Sequence, residues 1–210
     1  MPIAVRELYW TARRAFGTRR LLVFARNLPA DGDTVSLGSV VAEHVPPAEL
    51  AGLAAVRGDD PSDYTARLAA GHRLIHIGDT RDPFAAWGWI TLADATERET
   101  PWEGAARLAI PPGAAYFWDF FTKPSARGQR LYPRLLRDAM VFAAGHGISR
   151  VFIYCDAANI ASAKGIVAAG FAAPAAVNLF RAGPLLVARG PRGRHISLGS
   201  GSVPIDTLLP

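Results

Sequence analysis

Apolar positions along this chain recur with two periods, and the switches between them predict a mixed set of helices and strands. Over residues 5–16, Leu8, Tyr9, Ala12, Ala15 and Phe16 share one helical face with Arg6, Arg13 and Arg14 opposite, and Gly17 ends the pattern. Residues 19–26 read as a strand closed by Pro29 and the turn-forming Asp31-Gly32-Asp33. A second strand is expected over 35–45. Pro46-Pro47 then opens a helix, and another over 61–68, capped by Ser62, stops at Gly71. Residues 73–78 and 86–92 are short strands expected to pair antiparallel across the loop 79–83. Residues 93–112 show no clear period and read as a long loop.

The centre of the pattern lies between residues 114 and 171. Residues 115–122 are too rich in aromatic and β-forming side chains for a surface strand, and Lys123-Pro124-Ser125 ends them as a turn. Leu131, Leu135, Leu136, Ala139, Met140 and Phe142 then fall on one helical stripe, with Pro133 tolerated in the first turn. Gly145-His146-Gly147 breaks that helix, and residues 149–155 resume as a strand. A helix between two strands makes a crossover unit whose strands should be parallel. A short Ala-rich helix follows Asn159 and ends at Gly170-Phe171, and a last hairpin is expected from 176–181 and 185–188 around Gly183-Pro184. Residues 190–210 lose periodicity and are expected to form a mobile or loosely docked tail. The fold class is α/β, a central mixed sheet flanked by helices. The expected organisation is a helix–strand extension over 1–30, one domain over 31–190 and a tail over 191–210.

Composition narrows this picture. A chain of 210 residues, 50% hydrophobic and 20% charged, suits one globular domain with a real core. One cysteine, Cys155, excludes an internal disulfide, and five scattered histidines offer no zinc spacing, so no metal is expected. No apolar run has membrane-spanning length and no secretory h-region opens the chain, so a cytoplasmic protein with no membrane partner is expected. The net charge of +5 favours a polyanionic ligand.

Chemistry concentrates at Arg127-Gly128-Gln129-Arg130, which opens directly into the helix. Free backbone N–H groups, a helix N-terminus and two guanidinium groups meet there, a combination suited to a pyrophosphate. Together with the preceding strand, Arg127-Gly128-Gln129-Arg130-Leu131-Tyr132, and with Asn159, Ser162 and Gly170-Phe171 downstream, the chain resembles the GNAT superfamily of acyl-CoA-dependent N-acyltransferases. The resemblance implies that backbone groups of Phe120, Phe121 and Thr122 pair with the pantetheine arm of acetyl-CoA or another acyl-CoA. It further implies that backbone from Gln129 through Arg130 and Leu131 to Tyr132, behind Arg127 and Gly128, holds the pyrophosphate, with Asn159 and Ser162 against the pantetheine and thiol. Two departures stand out. Arg130 and Tyr132 occupy positions where the family usually has Gly and then Gly or Ala, and Ile166 stands where it often has the Tyr that protonates the departing thiolate.

Asp119, inside the aromatic strand, is the leading acid–base candidate, expected to be desolvated with a raised pKa and, by alternation, to share a face with Phe117 and Phe121. Tyr154 could shape the acceptor site, and Ser162 could relay a proton to sulfur; the bland readings are a buried carboxylate satisfied by backbone or Arg for Asp119, strand-end capping for Tyr154 and helix packing for Ser162. Cys155 reads as a small buried hydrophobe. The expected activity is acyl transfer to a small-molecule amine in a ternary complex, with a homodimer as an open possibility. The alternative is a catalytically silent module that binds acyl-CoA or a protein. Nucleic-acid binding is not expected, because no aromatic–basic single-strand signature is written in the chain.

Overall fold

A computed structural model describes residues 16–29, 38–42, 45–92, 99–102, 106–199 and 201–209. The helix expected over 5–16 and the turn at Asp31-Gly32-Asp33 lie outside the described residues, apart from Phe16 itself.

The described strands of the main sheet are β1 (Phe16–Asn27), β2 (Val40–Ala42), β3 (Arg73–Ile77), β4 (Ala86–Leu92), β7 (Ala114–Thr122), β8 (Arg150–Asp156), β9 (Ala175–Ala182), β10 (Leu185–Gly190) and β11 (Gly193–Leu198). Their spatial order is β11-β10-β9-β1-β8-β7-β4-β3-β2. Every described pairing in this sheet is antiparallel except β7 with β8, the two strands joined by helix α3 (Leu131–Gly145), as the crossover requires. Helices α1 (Pro47–Arg57) and α2 (Pro61–Ala69) precede β3, and α4 (Ile160–Ala168) follows β8. α2 is capped by Asp60, whose carboxylate accepts from the Ser62 N–H, rather than by Ser62 itself.

β1 is an interior strand of the sheet. It pairs with β8 on one side and β9 on the other, with Leu22 opposite both Cys155 and Ala176. Its alternation explains this position, since Leu21 and Val23 enter the core on one face and Phe24 on the other, all but inaccessible to solvent. Burying each such side chain contributes about 1.5–3 kcal/mol.

Two sequence expectations change. Within 93–112, β5 (Glu99–Trp102) and β6 (Ala106–Ala109) form an antiparallel pair rather than a featureless loop. The expected loose tail instead supplies β11, β12 (Ser202–Pro204), which pairs parallel with β6, and a 3-10 turn, Ile205–Leu208. Val203, Ile205, Leu208 and Leu209 are buried against Leu186, Ala188 and Phe152. Four apolar side chains without regular spacing dock as a plug, which periodicity does not detect.

The sheet therefore carries a core on each face. On one, α3 and α4 cover Phe24, Ile75, Ile90, Phe117 and Ile153; on the other, the second sheet and the C-terminal turn cover Leu21, Tyr116, Phe152 and Val177. A third cluster, with Trp87 and Trp89 at its centre, lies beneath α1 and α2.

Candidate functional site

The site is organised by one irregular residue. Asp119 has φ 55°, and across it the pairing of β7 with β4 shifts from Trp89↔Trp118 to Trp87↔Phe121. Two steps on β4 face three on β7, which makes a bulge with Asp119 as the inserted residue. Side-chain alternation is broken there. Phe117 and Phe120 lie together toward α3, with ring centroids 6.1 Å apart, whereas Trp118, Asp119 and Phe121 all turn toward α1 and α2. The grouping of Asp119 with Phe117, read from strict alternation, is corrected by this extra residue. Phe120 is accommodated because Gly88 stands opposite; a Cβ there would come within 2.4 Å of the Phe120 ring.

The bulge also ends the parallel ladder. β7 and β8 pair from Ala114↔Arg150 to Phe117↔Ile153 and no further, so β7 from Trp118 onward has a main-chain edge toward β8 without a strand partner among the described residues. At the end of that edge a 3-10 turn, Pro124–Ala126, leads through Gly128 (φ 81°) and Arg130 (φ 57°, ψ 23°) into α3. No side chain caps α3, and its first turn contains no acid. Its N–H groups and positive dipole end are therefore available to an anion. Arg127, Gly128, Gln129 and Arg130 are all exposed around this point. Arg130 adopts the left-handed conformation that glycine reaches freely, which explains in backbone terms why a glycine suits the position.

Tyr132 departs from the pattern with a visible consequence. Its ring lies against Gly165 of α4, where a Cβ would come within 2.4 Å, and 6.1 Å from the Phe120 ring. Its hydroxyl sits 3.1 Å from Ser162 Oγ. Burial pushes the Tyr132 phenol up to about 12, and burial likewise raises the Cys155 thiol, which Ser162 also contacts. Asn159 caps α4 by accepting from the Ser162 N–H at 3.1 Å. Ile166 is fully buried. A phenolic hydroxyl thus reaches α4 from α3, although the expected position on α4 itself carries none.

On the opposite face, Asp119 is a carboxylate satisfied by arginine, the plainer of the two readings its sequence context allows. Arg57 donates to Oδ1, and Arg67 donates to Oδ2 at 2.6 Å. Arg57 also pairs with Asp59 at 3.1 Å. Burial works against the Arg57 charge, but the facing Asp119 carboxylate more than offsets it and raises the guanidinium pKa. The Arg67 guanidinium lies 4.9, 5.2 and 4.7 Å from the rings of Tyr64, Trp89 and Trp118. The Trp118 indole donates to Thr91 Oγ1 at 2.9 Å, and that hydroxyl lies 3.0 Å from His72 Nδ1, which fixes the ring beneath the bulge. Arg57 and Arg67 escaped the sequence reading because they stand on separate helices and meet only at Asp119.

The remaining candidates separate. Tyr154 lies on the Trp118 side of the sheet, stacked on Tyr116 at 6.1 Å, whereas Ser162 lies on the α3 side. Asp156 caps the turn to α4 through the Ala158 N–H and pairs with Arg19. Lys123 pairs with Asp82 at 2.6 Å, and Arg137 donates to the Ala168 carbonyl, tying α3 to α4. No cluster of His, Cys, Asp and Glu suited to a metal occurs among the described residues.

The sequence profile of the Acetyltransferase (GNAT) family matches residues 59–171, more than half of the chain and the whole of the bulge, loop and crossover just described. The chain belongs to the GNAT acetyltransferase family. Solved structures show the same fold at low identity. A GNAT-family acetyltransferase from Colwellia psychrerythraea superposes with a TM-score of 0.53 at 18% identity, covering 81% of this chain and 59% of that one. A putative GNAT-family acetyltransferase from Novosphingobium aromaticivorans gives 0.52 and 18%, covering 78% and 64%. A GCN5-related N-acetyltransferase from Sphaerobacter thermophilus gives 0.51 and 11%, covering 95% and 58%. The chain thus spans less than two thirds of the length of each. No curated protein matches the sequence. For this GNAT protein, the family profile and the parting of β7 from β8 fall on the same residues.

Proposed function

We propose that this GNAT protein transfers an acyl group, acetyl in the simplest case, from acyl-CoA directly to the amine of a small molecule within a ternary complex. The observation that carries the reading is the open edge of β7 beyond Phe117, lying beside the uncapped N-terminus of α3. An extended pantetheine arm can add to that edge, and main-chain N–H groups from Phe120 to Thr122 are then on hand for the thioester oxygen. The diphosphate meets the N–H groups from Gln129 to Tyr132, with Arg127 and Arg130 beside it. The acceptor enters from the face of Trp118 and Asp119, under α1 and α2. Its nitrogen attacks the acyl carbon, the C–N bond forms and the C–S bond breaks. The ammonium proton leaves to a base on the acceptor face, and the thiolate takes a proton from the Ser162–Tyr132 hydroxyl pair. Asp119 serves as that base only when Arg57 or Arg67 releases one of its oxygens.

That condition favours a second reading, a catalytically silent module that binds acyl-CoA or a protein partner. Both Asp119 oxygens are engaged, and Ile166 offers no proton. One experiment separates the two. Acetyl-CoA at about 100 times its dissociation constant should stabilise the protein by about 2.7 kcal/mol in a thermal-shift titration, and Arg127→Ala should weaken that effect. Thiol release across an amine panel then supports catalysis. Binding without release supports the silent module, and absence of binding refutes both acyl-CoA readings.

A further inference from the structure

The register of the four strands away from the acyl-CoA slot builds a surface that no linear motif announces. Arg20 lies opposite Asn178, Asn178 opposite Arg189, and Arg189 opposite Arg194, so β1, β9, β10 and β11 contribute one row of three guanidinium groups and an amide. Directly opposed residues project from the same face, and this is the face away from Leu21, Val177 and Ala188, which are buried on the other. Arg19 and its partner Asp156 belong to that other face. All four members of the row are exposed, and none of the three arginines has an acid partner among the described residues. The sequence explains why, since no Asp or Glu occurs between Asp156 and Asp206.

The neighbouring row is apolar. Phe180, Val187 and Ile196 stand opposite one another, with Phe180 46% and Ile196 51% exposed. Between the two rows lies a concave volume of about 500 Å³. Helices α3 and α4 cover the sheet around Phe24, Phe117 and Ile153. Of the described helices, only the C-terminal 3-10 turn packs substantially on β9, β10 or β11, and its buried Ile205 and Leu208 lie on the opposite face with Leu21 and Val177.

Against the expectation drawn from contiguous motifs, we propose that this face binds single-stranded nucleic acid, with the guanidinium row on phosphates and Phe180 as a stacking platform for a base. A second copy of the chain is the poorer match, because a two-fold contact centred on the row would set its three arginines against themselves. A bilayer does not enter a concavity, whereas a base and its phosphate match its mixed lining of ring, amide and guanidinium. The strand spacing spreads the row over about 14 Å, long enough to follow a backbone rather than grip one anion. The site is separate from the acyl-CoA slot and does not depend on its use.

Fluorescence anisotropy with fluorescein-labelled twelve-nucleotide oligo(U) and oligo(dT), read between 50 and 300 mM salt, tests the proposal. Three phosphate contacts predict a slope of log affinity against log salt of about −2, with each Arg→Gln change at Arg20, Arg189 or Arg194 removing about 0.7. Phe180→Ala should weaken binding about tenfold with the slope unchanged. Arg127→Ala should leave the oligonucleotide affinity as it was. These substitutions are on exposed side chains, and unchanged melting temperatures confirm that the fold is kept. No binding at 50 mM salt, equal affinity in the Arg189→Gln/Arg194→Gln variant, or capture of duplex or phosphatidylserine vesicles in preference to single strands would each overturn it.

Discussion

Removing Arg67 tests how the bulge at Asp119 is held. The guanidinium is 2.6 Å from Asp119 Oδ2, with side-chain exposures of 22% and 18%, between the fully buried and fully exposed cases. Exposed pairs contribute at most about 1 kcal/mol and broken buried pairs cost about 3–5 kcal/mol. About 2 kcal/mol is therefore expected here, because Arg57 still neutralises the carboxylate after Arg67 is gone. Loss of contact with the three rings adds about 1 kcal/mol or somewhat more. Arg67→Ala should thus cost about 3 kcal/mol, seen as a fall in Tm of roughly 6–12 °C for a chain of this size. Only the ion pair survives in a double-mutant cycle with Asp119→Asn, so the coupling energy from urea melts should be about 1.5–2 kcal/mol. Additivity within about 0.5 kcal/mol would refute the network. If Asp119 is the base, Arg67→Ala should also raise kcat/KM relative to Arg67→Lys in a thiol-release assay, since it frees Oδ2.

Three further outcomes follow from the geometry. Arg130→Gly should stabilise the protein by about 1 kcal/mol in chemical denaturation by relieving a left-handed residue (φ 57°), and a destabilised variant would show that the side chain is doing more than tolerating its backbone. Burial pushes the Tyr64 and Tyr132 phenols up to about 12 from 10.0, so their contribution is complete below pH 10 and declines as pH rises toward 12, by at most about 1.4 kcal/mol per unit for each; urea melts across that range should show the decline, and Tyr132→Phe should lessen it. Leu208→Ala should cost about 2–5 kcal/mol by the same method, whereas a loosely docked tail would give less than about 0.5 kcal/mol.

Much of the architecture was legible because it rests on local rules. The crossover from β7 to β8, the proline-led starts of α1 and α2, and the hairpin of β9 and β10 are each written in spacing or turn residues. The loop from Arg127 to Arg130 was legible for the same reason, since glycine and a helix start are local features. Asp119 was found but misoriented, because one inserted residue reverses alternation and nothing in Trp118-Asp119-Phe120 signals a bulge. Its partners were invisible, as Arg57 and Arg67 reach it from two helices. The C-terminal plug and the row of arginines share that origin, being products of strand register rather than of any contiguous motif.

The interior position of β1 bears on synthesis. Val23 must wait for Tyr154 and Ala175 to be made before both of its edges are closed. At 5–20 residues per second that interval is on the order of ten seconds. Throughout it Leu21-Leu22-Val23-Phe24 leaves the ribosome as an unpaired, strongly β-forming segment, the kind that seeds aggregation. Arg19 and Arg20 on one side and Arg26 on the other bracket it with charge, as gatekeepers do. Charge at both ends of an interior strand thus separates its apolar run from like runs on other nascent chains.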